Sequence, residues 1–249
     1  MSRALNFAKR NLKEIIRDPL SSIFNFAFPV AMLILFFCFT FGKTAEVISA
    51  QTPMFLPNNI VPGIAVFGFS FLTLFVGMLV SKDRSTSFTS RLRISPMKPV
   101  EFFLGYAIPM FAIALIQVVI VYLLGWLFSF GLPDSSIRFN PWTLETLITF
   151  VLYIPIALFF ISAGIFFGVL VNEKAIGGIS SIVINLAAIM SGMFMPISMM
   201  SGFKIVCQCL PFYHMVTLVQ NSTLGQWPAS VSYFDSIISG YAQAGIDVV

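Results

Sequence analysis

Charge is what this sequence has least of. Only 10% of its 249 residues are Asp, Glu, Lys or Arg, whereas soluble domains carry about 25%. A water-soluble fold of this length cannot cover its surface with so few charges. The shortage is sharpest inside five long apolar stretches, whose interiors hold no Asp, Glu or His. That absence excludes the paired aspartates, the Ser with a His and the HExxH motif on which an intramembrane enzyme would depend. A phosphate-binding loop is missing too. It requires Gly, four residues, then Gly-Lys-Ser/Thr. Gly42-Lys43-Thr44 ends like one, but Phe37 stands where the first Gly is needed. The chain is therefore not expected to hydrolyse ATP itself. Histidine occurs once, at His214, with no Cys or carboxylate at metal-ligand spacing, so no metal site is expected. The three cysteines say little about redox compartment: Cys38 lies in an apolar stretch, and Cys207 and Cys209 are too close for an easy disulfide. No run of alternating polarity suggests a membrane β-barrel. The first apolar block is too long for a cleavable signal peptide.

What the sequence does have is length in its apolar runs. They cover 20–41, 60–80, 102–130, 147–171 and 176–199, with Glu145 just outside the fourth. A helix needs about 20 apolar residues to cross the hydrocarbon core. Within lipid every backbone polar group must be paired inside the protein, which favours helices. The expected fold is an all-α polytopic membrane protein with five visible transmembrane helices.

Basic residues sort by segment. Arg3, Lys9, Arg10, Lys13 and Arg17 precede the first span, and Lys82, Arg84, Arg91, Arg93 and Lys98 follow the second. Only Lys43, Arg138 and Lys204 lie in the segments after the first, third and fifth spans. The positive-inside rule places the N-terminus, the 81–101 loop and the Asn172-Glu173-Lys174 turn in the cytoplasm. This topology explains the net charge of +4 without a nucleic-acid partner.

Residues 1–18 read as an interfacial helix. Leu5, Ala8, Leu12, Ile15 and Ile16 recur at helical spacing, opposite Asn6, Lys9, Arg10, Lys13 and Arg17. Asp18-Pro19 then restarts the chain with a good N-cap and a Pro suited to a first turn. A simple anchor and a mechanical elbow both fit. Pro- and Asn-rich connections at 51–59 and 131–142 lie on the outer side, where Trp126 and Trp142 fit an aromatic belt.

The 81–101 loop is short, charged and broken by Ser95-Pro96. It predicts a small helix over about 85–94, stopped by the proline. A rigid element tied to two spans can pass force between a cytosolic partner and the membrane. An ordinary solvated loop also fits.

Here the chain resembles the membrane subunit of ABC-2-type ABC exporters. The match is carried by Asp83, Arg91, Leu92, Ser95, Pro96, Glu101, Leu104 and Gly105. It departs at Ser87-Phe88, where the family has Gly-Thr, and at Ser85, where a second acid is common. A second match runs Gly192-Met-Phe194-Met195-Pro196, then Leu210-Pro211, with Leu210 replacing the family's Asn. Segment 200–249 corresponds to an extracytoplasmic re-entrant region and linker. The family has a sixth span that 219–249 does not supply, because Asp235, Ser236, Ser239, Gln243 and Asp247 interrupt it. The expectation is a sequence truncated at the start of that helix.

The resemblance implies two such subunits in the cell membrane, with two cytosolic ATPase subunits that bind ATP and Mg. Coupling would fall to Asp83, Arg84, Arg91, Leu92, Arg93, Ser95 and Glu101. The chain itself carries no cofactor in this reading. Gln117 and Asn185, polar groups within spans, together with Gly192, Phe194 and Met195, are candidates for a substrate path or for helix packing. Gly164 with Gly168, and Ala188 with Gly192, have the small-xxx-small spacing of close helix contact. The leading reading is export of a hydrophobic drug-like or peptide substrate. Export of a lipid-linked polysaccharide is a second reading, and a non-transporting adaptor or immunity subunit a third.

Overall fold

The computed structural model describes residues 2–17, 19–41, 56–86, 98–132, 135, 138–193 and 204–225. Every regular element among them is a helix. In chain order these are α1 (Ser2–Arg17), α2 (Pro19–Thr40), α3 (Pro57–Ser85), α4 (Pro99–Ser129), α5 (Leu144–Leu170), α6 (Glu173–Met190), α7 (Lys204–Cys209) and α8 (Pro211–Thr223). Helices α3 to α6 are each long and apolar enough to cross a membrane, and Asn25–Thr40 of α2 is a shorter apolar helix. The fold is thus all-α and multi-pass.

Helices lie over the five apolar stretches, with shifted ends. Helix α3 extends through Ser85, so the residue that opens the expected loop helix instead closes α3. Residues 87–97, with the rest of that helix, lie outside the described residues, as do Asp18 and 226–249. Helix α6 closes at Met190, short of the expected 199. Its end is set by Gly192, whose φ of 72° is left-handed and reverses the chain where a side-chain-bearing residue would be strained. Proline sits inside four spans, at Pro29, Pro62, Pro109 and Pro155. Such a proline frees backbone carbonyls, which neighbours in a membrane bundle can re-pair.

The structure divides into two compact units. The first takes Met1–Pro29, Gly68–Val119 and Ile154–Ile184. Here α5 lies directly on α3. A Cβ at Gly164 would come 2.8 Å from Thr73 O, and one at Gly168 would come 2.8 Å from Gly77 O. The expected small-residue contact is therefore made through Gly164 and Gly168. Thr73 Oγ1 reinforces it by donating to Phe160 O at 3.0 Å.

The second unit takes Val30–Phe67, Ile120–Tyr153 and Asn185–Val249. Its buried polar groups pair with one another. Tyr122 and Tyr153 hydroxyls meet at 2.8 Å, as do those of Thr149 and Ser222. Gln220 Nε2 donates to Asn59 O at 2.9 Å, one turn before Pro62. Trp126 and Trp142 pack edge to face with centroids 6.4 Å apart.

Helix α3 is the most enclosed span: 78% of its apolar window is buried, against 22% for α6. The outward faces of α4 and α5 carry large apolar groups such as Ile116, Leu123, Leu127, Val151 and Phe166. That exposure suits a hydrocarbon surrounding rather than water.

Candidate functional site

The last turn of α3 reads Lys82-Asp83-Arg84-Ser85. Successive helix residues are about 100° apart, so four of them sweep most of the way round the axis. Each of these four reaches a different partner.

Asp83 is 2% exposed and accepts three hydrogen bonds. Arg10 of α1 grips it with both arms, Nη2 to Oδ1 at 2.7 Å and Nη1 to Oδ2 at 3.1 Å. Tyr106 of α4 donates its hydroxyl to Oδ2 at 2.7 Å. A buried carboxylate needs such a set, because an unpaired buried charge is costly. Burial alone would lower the Arg10 pKa, but the hydrogen bonds and charge of Asp83, then the charge of Glu14, raise it instead. Arg10 is therefore a fixed cation.

Lys82 turns to Glu14 of α1, Nζ to Oε1 at 3.0 Å. Glu14 also meets Arg10 one helical turn away, at 3.1 Å. Arg84 reaches α5 and donates to Val169 O. Val169 lies in the last turn of that helix, whose carbonyls lack helical partners and favour a cation. Ser85 donates to Glu173 Oε2 of α6 at 2.8 Å. One helix end thus holds α1, α4, α5 and α6, all within the first unit.

Helix α1 is built for this attachment. Its buried face is Ala4, Phe7, Ala8 and Asn11. Leu5, Leu12 and Ile16 turn outward, 53%, 38% and 69% exposed. The apolar face expected of an interfacial helix is therefore divided: Ala8 packs inward, while these three face away from the protein. Phe7 lies over Gly105, where a Cβ would come 2.0 Å from its Cδ1. Its ring also meets Phe102 and Tyr106 at 5.8 and 5.0 Å. Asn11 Nδ2 donates to Gly105 O at 3.0 Å. The Leu-Gly pair that opens the third span thus acquires a physical reason: only glycine leaves room for Phe7.

The other expected site residues fall as follows. Glu101 caps α4, accepting the Lys98 backbone N–H at 3.1 Å, the reciprocal half of a capping box. Arg91, Leu92, Arg93, Ser95, Phe194 and Met195 lie outside the described residues. Gln117 is 1% exposed and both its amide atoms lack a hydrogen-bond partner. It packs where Gly68 has no side chain, close to Pro29. Asn185 is exposed on α6. Sequence reasoning did not single out Arg10, Glu14, Lys82 or Tyr106 as site residues. The one available signal was the i, i+4 spacing of Arg10 and Glu14, which places both on one face of α1. Among the described residues no group of His, Cys, Asp and Glu is arranged to hold a metal ion.

The order of parts now stands on the structure: an attached amphipathic helix, apolar spans, and a charged end of α3 leading into the 87–97 segment. A family model described as ABC-2 type transporter matches residues 5–224, from α1 through α8. The chain belongs to the ABC-2 type transporter family. No curated protein and no solved structure matches it significantly. This ABC-2 chain is a permease subunit, a membrane component whose family transports rather than catalyses.

Proposed function

We propose that this permease works in an ATP-driven exporter of the cell membrane, with the N-terminus and the charged end of α3 in the cytoplasm. A cytosolic ATPase, which binds the ATP and Mg, seats residues 87–97. Arg91 and Leu92 contact it, and Arg93 and Ser95 shape the segment. Two permease subunits pair to form the path.

One observation carries this reading. Lys82, Asp83, Arg84 and Ser85, one residue ahead of the 87–97 segment, grip α1, α4, α5 and α6. A push on the segment arrives at the end of α3. The grip then passes it to the packed helices as one displacement, which loose loops could not do. The exported molecule is hydrophobic, drug-like or peptide in nature, as the apolar character of the whole chain supports.

The test is reconstitution with the ATPase partner in proteoliposomes. Arg91→Glu and Leu92→Asp should each abolish transport while ATP hydrolysis and membrane insertion persist. Wild-type transport in both variants would overturn the docking assignment.

A further inference from the structure

An open concavity of about 520 Å³ lies between α1 and the end of α3. Arg10, Lys13, Glu14, Arg17 and Lys82 line it, all of them in the first unit. Four cations therefore face one carboxylate.

That carboxylate is already committed. Glu14 meets Arg10 through Oε2 at 3.1 Å and Lys82 through Oε1 at 3.0 Å. Asp83 holds Arg10 from the buried side. With both acids counted, two positive charges remain, and they belong to Lys13 and Arg17. Both are exposed, and neither meets an acid among the described residues. Glu173 receives the hydroxyl of Ser85 and does not line the concavity. The excess charge selects an anion. It also disfavours a choline or ethanolamine headgroup, because no carboxylate in the lining is left for a second ammonium.

Helix α1 indicates what carries the anion. Leu5, Leu12 and Ile16 are exposed and fall on one line along the helix, since their spacings bring each back to nearly the same angle at about 100° per residue. Lys13 and Arg17 follow Leu12 and Ile16 by one residue each, so they flank that line. A helix of this kind sets its apolar side among acyl chains and its cations at the level of the phosphates. A soluble phosphate would leave Leu12 and Ile16 in water. A phospholipid covers both, with its chains along the apolar line and its phosphate on the flanking cations. The guanidinium fork of Arg17 suits two phosphate oxygens.

We propose that this concavity is a binding site for the phosphate headgroup of an anionic phospholipid of the phosphatidylglycerol type. Lys13 and Arg17 contact the phosphate, while Arg10 and Lys82 stay with their carboxylates and form the inner wall. The proposal depends on the chain being a membrane protein and not on the docking of an ATPase.

The test is native mass spectrometry of the full chain, released from micelles holding equal amounts of palmitoyl-oleoyl phosphatidylglycerol and palmitoyl-oleoyl phosphatidylcholine. The wild type should retain the anionic lipid several-fold over the choline lipid. Lys13→Gln with Arg17→Gln should reduce that preference about tenfold or more. Lys98→Gln with Lys174→Gln removes the same charge from exposed positions outside the concavity and should keep the preference. Added glycerol 3-phosphate, the soluble headgroup fragment, should not displace the lipid. If the Lys13 and Arg17 double variant is not monodisperse, the two single variants decide, each with a partial loss. Equal retention of the two lipids, a preference unchanged without Lys13 and Arg17, or an equal loss in the Lys98 and Lys174 variant would overturn the proposal. Displacement by glycerol 3-phosphate would overturn the lipid as occupant in favour of a free phosphate.

Discussion

The guanidinium of Arg10 holds both carboxylate oxygens of Asp83, at 2.7 and 3.1 Å, across 73 positions of sequence. The pair joins α1 to the end of α3, and Tyr106 closes it from α4. Bidentate Arg–carboxylate geometry is strong and orients its partners as well as attracting them. It is the firmest of the contacts around the end of α3, because Asp83 is buried while Lys82 and Glu14 are both partly open to solvent.

Asp83→Asn should therefore destabilise the protein. Losing one partner of a fully buried pair costs about 3–5 kcal/mol. The Arg10 side chain is 36% exposed, so solvent screening reduces the loss to about 1–3 kcal/mol. Arg10→Lys should recover only part of the wild-type stability, since a point charge cannot grip both oxygens. Thermal melts in detergent measure both. An Asp83→Asn melt equal to wild type would show that the pair adds no stability.

Gly164 and Gly177 should respond oppositely to alanine. A Cβ on Gly164 would come 2.8 Å from Thr73 O and 2.9 Å from Val76 Cβ. Backbone cannot yield cheaply, so Gly164→Ala should cost about 1–3 kcal/mol. Gly177 has nothing within 4 Å of its Cβ site. There the better helix propensity of alanine should leave stability unchanged or raised by up to about 1 kcal/mol. Equal melting shifts for the two variants would contradict the packing of α5 on α3.

In the second unit, Thr149 and Ser222 should prove energetically coupled. Both are buried, and their hydroxyls meet at 2.8 Å. Thr149 also donates to Glu145 O at 2.8 Å, which leaves Ser222 as the donor between the two hydroxyls. Ser222→Ala and Thr149→Val should each cost about 1 kcal/mol. The double variant should cost less than their sum, by about 0.5 kcal/mol or more. Strict additivity would mean that the contact has no energetic weight.

These residues also show which parts of the fold could be read beforehand. Span length was legible because apolar runs and charge-poor interiors are one-dimensional signals. Gly164 and Gly168 were legible for the same reason, since their spacing alone puts both on one helix face. Asp83 could be named from its position beside the motif, but its partners could not. Arg10 and Tyr106 stand 73 and 23 positions away from it, and no local pattern encodes a contact that the packing of α1 on α4 creates. The early end of α6 was hidden as well. Hydropathy continues past Met190, whereas the left-handed backbone at Gly192 ends the helix. Gln117 was visible as a polar residue in a span, but its burial beside Gly68 depends on two helices meeting.

The grip of α3 on its neighbours should be separable into stability and coupling. Lys82 and Glu14 form a partly exposed pair, worth about 1 kcal/mol or less, so Lys82→Ala should move the melt only slightly. Arg84 and Ser85 tie α3 to the end of α5 and the start of α6. Neither contact is buried, so Arg84→Gln with Ser85→Ala should cost no more than about 1–2 kcal/mol of stability. The double variant nevertheless removes both links from the 87–97 segment to α5 and α6. In proteoliposomes with the ATPase partner, it should hydrolyse ATP at a near-normal rate while transporting several-fold less per ATP. Lys82→Ala, which leaves those links intact, should keep a ratio near wild type. The ratio of transport to hydrolysis is the measurement, because it is insensitive to how much protein inserts. A normal ratio in the double variant would show that force reaches the spans by another route, for instance through Asp83 and α4 alone.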